Sequence, residues 1–338
     1  MPAAAPPLLL TMGDPAGIGA EIALQAWMAR ARAVPPFLLV DDAQRLRTIA
    51  GRLGWMVPVQ VIEEPLTATE VFANALPVLH RPFSPHPLPG QPDTATGKAV
   101  IAAIETAVAL VRTGAGAAVV TNPIHKKTLY DAGFGFPGHT EFLAALTGAD
   151  IRPVMMLVSP QLRVVPVTVH VGLRRAIETL RTTDIIATGE IAARALRQDF
   201  GISRPRLAVA GLNPHAGEEG EMGDEEGTIV APAVAALRAR GIDVCGPLPP
   251  DTLFSPRARD GYDAALCMYH DQALIPLKAL DFDGGVNVTL GLPFVRTSPD
   301  HGTAFDLAGT GRASAASLIA ALRLAQTLAH RRAAATLA

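Results

Sequence analysis

Short apolar runs alternate with amphipathic stretches along most of the chain. Leu8 to Thr11 reads as a strand and the segment from about Ile18 to Arg30 as a helix. Phe37-Leu-Leu-Val40 is a second strand, ending at Asp41-Asp42. Residues 96 to 111 carry apolar side chains at helical spacing and lead through Gly114 and Gly116 into the run Ala117-Ala-Val-Val120. The alternation recurs with strands at Val154 to Val158, Leu207 to Ala210 and Ala264 to Met268, and with helices near 183–198, 225–240 and 313–330. The run at 117–120 reads as a buried strand. Strand and helix in alternation predict an α/β fold with a substantially parallel sheet.

The interruptions are few. Residues 81–93 form a proline-rich excursion of the surface, too short to separate domains. The acidic stretch Glu218 to Glu226 reads as a solvated turn whose last acids open the next helix.

Composition narrows the class. At 338 residues the chain has the length of about two domains. Lys and Arg number 29 against 31 Asp and Glu, a net charge of −2, which lacks the basic stripe of a nucleic-acid binder. Charged residues at 18% and apolar ones at 49% exclude disorder over most of the length. Aromatics at 5% leave Ala, Leu and Val to build the cores. No apolar run approaches the ~18 residues of a membrane span, and Met1 to Leu10 lacks the basic start of a signal peptide. Cys245 and Cys267 form neither a CxxC nor a disulfide framework; they read as small buried apolar residues in a reducing cytoplasm.

Several constellations carry chemistry. Thr11-Met-Gly-Asp-Pro-Ala-Gly-Ile-Gly-Ala-Glu21 lies between a strand and a helix, where glycines let the backbone turn sharply and approach an anion. Its G-x-x-x-G-x-G order is not the dinucleotide fingerprint, and a purely structural turn fits it equally well. Three of the nine histidines, His170, His215 and His270, follow strand-like runs. The carboxyl ends of strands face the ligand crevice in open α/β sheets. Three imidazoles converging there would hold a borderline divalent ion such as Zn²⁺, although each alone is more often a satisfied strand-end residue. Gly138-His-Thr-Glu141 opens a helix after Pro137, so His139 and Thr140 can donate to a phosphate or carboxylate. Lys278 and Arg296 sit among apolar neighbours, where cations pair internally or bind an anionic substrate, and Asn287 is polar where an apolar strand residue was expected. His125 and Lys126 read as surface.

Taken together these segments resemble the 4-hydroxythreonine-4-phosphate dehydrogenase family of the vitamin B6 pathway. The resemblance rests on Met12-Gly-Asp-Pro-Ala-Gly-Ile-Gly19, Pro137-Gly-His-Thr-Glu141, Gly211-Leu-Asn-Pro-His-Ala-Gly-Glu218, Tyr269-His-Asp-Gln-Ala-Leu-Ile-Pro-Leu-Lys278 and residues 294–309, and covers essentially the whole chain. It implies an isocitrate/isopropylmalate dehydrogenase-like fold, two α/β/α domains flanking a cleft, without a Rossmann domain. The expected division is 1–125 plus 295–338, with the Gly-rich turn and cofactor loop, and 126–294, with the metal histidines and dimer contacts.

The resemblance also implies roles. His170, His215 and His270 would bind one divalent ion (Zn²⁺, Co²⁺ or Mg²⁺), and His139, Thr140, Lys278, Asn287 and Arg296 would bind a small phosphorylated substrate. NAD or NADP would lie along Asp300, His301, Gly302 and Asp306. Lys278 would polarise the reacting oxygen or relay its proton, with Asp251 or Asp271 as base or supporting group. The expected assembly is a homodimer whose active site is shared between subunits, in the cytoplasm, away from nucleic acid and membrane. Related substrates are a phosphorylated threonate or erythronate, or an aromatic cis-dihydrodiol carboxylate. An acyltransferase resembling the phosphotransacetylases would need no metal triad.

Overall fold

The computed structural model describes residues 5–136, 138–148 and 151–337; Pro137, and the segment Met1 to Ala4 of the opening stretch, lie outside the described residues. In chain order the strands are β1 (Leu8–Thr11), β2 (Phe37–Asp41), β3 (Val59–Val61), β4 (Leu76–His80), β5 (Ala118–Thr121), β6 (Val154–Val158), β7 (Arg163–Pro166), β8 (Arg206–Ala210), β9 (Asp243–Leu248), β10 (Ala264–Cys267), β11 (Val286–Leu290) and β12 (Arg296–Pro299). The chain divides into two compact units, Met1–Ile151 with Leu292–His330, and Arg152–Gly291 with Arg331–Ala338.

The first break falls after Ile151, not after residue 125 as the sequence suggested. Helices Lys126–Asp131 and His139–Ala145 stay with the first unit because Leu129, Phe134, Phe142 and Leu143 are buried in its core. The rings of Phe134 and Phe142 meet edge-on at 4.9 Å. Each such apolar side chain taken out of water contributes about 1.5–3 kcal/mol, so this stretch has no reason to leave.

In the first unit the strand order is β3-β4-β2-β1-β5-β12, and every neighbouring pair is parallel. The carboxyl ends of β1, β5 and β12 therefore share one edge. They feed into the Gly-rich turn, residues 122–128 and loop 300–306 respectively. Helix Gly97–Arg112 covers the sheet with Val100, Ala103, Ile104, Ala107 and Val108, the i, i+3, i+4, i+7, i+8 stripe of a half-buried helix. Among the described residues, Thr94–Arg112 is also the one stretch long and apolar enough by length and composition to cross a membrane. Its buried stripe gives the apolar residues a core to serve.

The second unit has the order β11-β6-β7-β10-β8-β9. Its strands β7, β10, β8 and β9 are mutually parallel, whereas β6 runs antiparallel to both β11 and β7. The sheet pairing is thus substantially parallel, as expected, with β6 the exception. Residues 159–162 alone join β6 to β7, and a loop that short cannot carry the crossover of about a dozen residues that a parallel pair needs. Both cysteines are free; Cys267 is buried as expected, but Cys245 is exposed on the outermost strand β9.

Candidate functional site

The chemistry-bearing residues fall into two sets, one in each unit. In the first unit, the Gly-rich turn is lashed to the segment after β5. The backbone N–H of Asp14 donates to the Pro123 carbonyl at 2.8 Å, and the Asn122 amide donates to the carbonyls of Thr11 and Gly19 at 3.0 and 3.3 Å. Gly13 sits at φ +71, and a Cβ there would stand 2.7 Å from both Asn122 and the Pro123 carbonyl oxygen. Only glycine satisfies both demands. On its other flank the turn touches the loop after β12: Ile18 N–H donates to the Thr303 carbonyl at 3.1 Å. Glu21 accepts from the backbone N–H groups of Gly309 and Gly311. A cavity of about 380 Å³ opens beside this junction, bordered by Pro15, Gly17, Glu21, Arg45, His86 and Thr310.

Asp14 is buried beneath the turn. Burial raises its carboxyl above the usual range, against the opposing pull of the Ala16 N–H, the charge of His125, the Thr128 hydroxyl and Arg45. Thr128 also lies 2.9 Å from Nδ1 of His125, whose ring meets Phe305 of the β12 loop edge-on at 5.2 Å. His125 is therefore half-buried in a hydrogen-bonded chain rather than simply on the surface; Lys126 is exposed as read.

Arg296 opens β12 and is 3% exposed. Its guanidinium donates to the Thr121 hydroxyl at 2.6 Å, and burial lowers its pKa to about 10, so it stays charged at neutral pH. His139 begins helix His139–Ala145 and is followed by Thr140. Burial, then the positive charges of Arg296 and Lys126, hold the His139 imidazole well below its ordinary pKa. It is neutral at pH 7, and no hydrogen-bond partner among the described residues meets its buried Nε2. In the β12 loop, Asp300 N–H donates to Ser317, and His301 Nδ1 lies 3.0 Å from the Gly302 carbonyl. Its Nε2 is likewise buried without a partner among the described residues, whereas Asp306 is exposed.

In the second unit, His170, His215 and His270 follow the parallel strands β7, β8 and β10. The rings of His170 and His270 stand 5.8 Å apart. Two imidazoles on one tetrahedral ion, with bonds of about 2.0–2.1 Å, place their ring centres roughly 5–6 Å apart. The 5.8 Å separation falls within that range. Nδ1 of His270 lies 2.7 Å from Asp271, the kind of orienting contact that metal-ligating imidazoles commonly have. His215 does not complete a cluster: among the described residues no group of three or more metal-ligating side chains assembles.

The backbone around these histidines is strained. His170 has φ +52, and His215, Ala216, Glu218 and Glu219 all have positive φ within the turn Pro214–Gly220. Each such non-glycine residue costs of order 1–3 kcal/mol, so the surroundings must hold it. Glu226 is one holder. Its carboxylate accepts from the N–H groups of Leu212 and Asn213 at 2.6 and 2.7 Å and from the Asn213 side chain. Glu226 is thus buried and structural, not part of a solvated turn; the run of acids concealed it. Gln272 is another: it accepts from Met268 N–H at 2.6 Å and donates to the Gly211 carbonyl at 2.7 Å, tying the end of β10 to the end of β8.

Lys278 lies on helix His270–Leu280, eight residues past His270 and hence on the same face. Its ammonium is 5.8 Å from the Phe282 ring centre. Asn287 lies in β11 opposite Leu157. Asp251 is exposed on the short helix Pro250–Leu253, which packs against the turn that holds His215.

Comparison with known proteins follows the same lines. Residues 33–325 match the family described as pyridoxal phosphate biosynthetic protein PdxA. The chain is 59% identical over 332 residues to a 4-hydroxythreonine-4-phosphate dehydrogenase of Methylorubrum populi, covering 96% of this chain and 95% of the relative. A solved 4-hydroxythreonine-4-phosphate dehydrogenase from Klebsiella pneumoniae has a TM-score of 0.86 at 43% identity, covering 96% of this chain and 99% of that one. A terephthalate 1,2-cis-dihydrodiol dehydrogenase from Burkholderia xenovorans LB400 is more distant, with a TM-score of 0.62 at 29% identity, covering 95% and 97%. The family and fold class expected from the sequence motifs are borne out.

Proposed function

The chain belongs to the pyridoxal phosphate biosynthetic PdxA family, and from that premise we propose that it oxidises 4-phosphohydroxy-L-threonine at its secondary alcohol. The alcohol proton passes to a base and its carbon-bound hydrogen leaves as hydride, for which bound NAD⁺ or NADP⁺ would be the acceptor; the resulting β-keto acid loses CO₂ and takes up a proton to give 3-amino-2-oxopropyl phosphate. The protein is a dehydrogenase by family; the cofactor, the metal and the residue roles are our reading.

Two residue sets support it. Arg296, His139 and Thr140 offer one permanent cation and neutral donors to the substrate phosphate, anchoring it by binding energy remote from the reacting carbon. His170 and His270 have the spacing to hold a divalent ion, with His215 as the third ligand across a homodimer. Zn²⁺ or Co²⁺ suits imidazole donors best, and Mg²⁺ less well. A divalent ion held there would supply Lewis acidity, lowering the pKa of the alcohol and withdrawing charge as CO₂ departs. Asp271 holds His270 in the tautomer that presents Nε2. Lys278, on the His270 face of its helix, polarises the reacting oxygen or moves its proton together with Asn287. Asp251, beside the His215 turn, is the base candidate that remains once Asp271 is committed to His270. Asp300, His301, Gly302 and Asp306 contact the dinucleotide, with the loop held by Glu21. The free thiols fit a reducing cytoplasm.

The observation in the fold that carries the reading is the His170–His270 pair backed by Asp271. Its test is cofactor reduction with 4-phosphohydroxy-L-threonine, 4-phospho-D-threonate and 4-phospho-D-erythronate in parallel, before and after chelation and with metals added back. Turnover that prefers the hydroxythreonine phosphate and is lost on chelation is expected. Preference for a sugar-acid phosphate would overturn the substrate, and turnover indifferent to chelation would overturn the metal.

A further inference from the structure

The loop after β12 turns through Ala304 at φ +43, a left-handed conformation that a residue with a Cβ keeps only where its surroundings hold it. Constraints stand on both sides of that turn. On one side the Thr303 carbonyl accepts from Ile18 N–H of the Gly-rich turn at 3.1 Å, and a Cβ on Gly17 would stand 2.9 Å from the same oxygen. On the other, the Phe305 ring meets the His125 imidazole edge-on, with centres 5.2 Å apart and planes at 87°. Glu21 holds the loop further on, at Gly309 and Gly311. His125 holds it at the strained turn itself.

His125 is in turn built into the unit. Its Nδ1 lies 2.9 Å from the hydroxyl of Thr128, which is buried on helix Lys126–Asp131. That helix packs tightly on the start of helix Gly97–Arg112: a Cβ on Gly97 would stand 2.8 Å from the Thr128 carbonyl oxygen. The segment before it is fixed as well, because the Pro123 carbonyl accepts from Asp14 N–H at 2.8 Å. One imidazole thus offers a ring edge to Phe305 and a ring nitrogen to Thr128. A phenylalanine would supply only the first contact and an asparagine only the second.

We propose that His125 is a positioning residue: anchored on Thr128, it holds the Phe305 ring and with it the strained Ala304 turn, so that the loop 300–306 is already in its binding conformation when the dinucleotide arrives. A loop held in advance does not spend binding energy on being ordered. The consequence falls on cofactor affinity, because the contact lies in the loop and touches none of the residues assigned to the phosphorylated substrate. This assignment rests on the reading that residues 300–306 contact the dinucleotide.

Amide exchange on the full-length protein without ligand reads the turn directly, at Ile18 and Leu307, whose N–H groups donate to the Thr303 and Ala304 carbonyls. His125→Ala should accelerate exchange at both about three- to tenfold, the scale of one aromatic pair, and leave the melting temperature close to wild type. Calorimetric titration with NAD⁺ and NADP⁺ should show the better-bound dinucleotide weakened by a similar factor, with the affinity for 4-phosphohydroxy-L-threonine unchanged. Phe305→Leu should do the same, and the double variant no more than either single one, because the two side chains act through one contact. His125→Phe should keep more dinucleotide affinity than His125→Asn. Unchanged exchange at Ile18 and Leu307 in His125→Ala overturns the assignment, as do losses that multiply in the double variant. Acceleration spread evenly over the first unit with a lower melting temperature overturns it too, by reducing His125 to a packing residue. Faster exchange at those two amides with unchanged dinucleotide binding would support the positioning and overturn the reading of the loop as the cofactor's.

Discussion

Oδ1 of Asp271 lies 2.7 Å from Nδ1 of His270, its neighbour in sequence, at the first turn of helix His270–Leu280. The contact fixes which ring nitrogen points away and sharpens the basicity of the other. Asp271 is mostly exposed, so its worth lies in orientation more than in Coulomb energy. Asp271→Ala is therefore expected to weaken Zn²⁺ or Co²⁺ binding about tenfold, and Asp271→Asn, which keeps an acceptor oxygen, by less. Competition against a chromogenic chelator reads both. Equal affinity in wild type and Asp271→Ala would dissociate the carboxylate from any metal site.

Glu21 links the first helix of the chain to the loop after β12 by accepting from Gly309 and Gly311 N–H. It is 3% exposed, so Glu21→Ala strands two backbone donors and frees the loop that carries Asp300 to Asp306. The KM for the dinucleotide should rise several-fold more than the KM for the phosphorylated substrate. A uniform rise in both would mean that the loop does not serve the cofactor.

Gln272 bridges the ends of β10 and β8 through Met268 N–H and the Gly211 carbonyl. Replacing it with Leu keeps the volume but leaves both backbone groups buried and unsatisfied, at about 1–3 kcal/mol each. The second unit should melt earlier, and amide exchange should accelerate at residues 211–213 and 268–270. Unchanged exchange at those amides would show that the bridge is dispensable.

Much of this was legible in the sequence, for identifiable reasons. The stretches Leu8–Leu10, Phe37–Val40 and Ala264–Cys267 are apolar throughout, and a strand buried on both faces leaves no other reading. The strand β12 was not legible, because Arg296-Thr-Ser-Pro299 is polar and buries only through partners such as Thr121 and Ala321, distant in sequence. The strand-end histidines announced themselves by following such runs, but spacings of 45 and 55 residues could not tell that two would meet and the third would not. Glu226 and Gln272 were hidden for a different reason: a buried acid or amide whose partners are all backbone groups has no sequence pattern of its own. Asp14 and Glu21 lay within the Gly-rich motif, so that motif was the available signal. Their hydrogen bonds to Ala16, Gly309 and Gly311 turn it from a bare loop into a clamp.

His139 makes a prediction in pH. In the unfolded chain its imidazole takes a proton near 6.5, whereas in the fold burial and the charges of Arg296 and Lys126 delay protonation to a much lower pH. Between those two values the unfolded state holds the extra proton, so stability rises with pH across the window. The contribution is complete above about 6.5 and is lost progressively as the solution is acidified below it. His139→Gln, which cannot titrate, should flatten the acid limb of a plot of melting temperature against pH from about 7 to about 5, measured without phosphate. Added phosphate should protect the wild type more than the variant at pH 7, because the neutral imidazole donates to the anion without needing a proton of its own. A variant with the same acid limb as wild type would show that the fold does not hold His139 neutral.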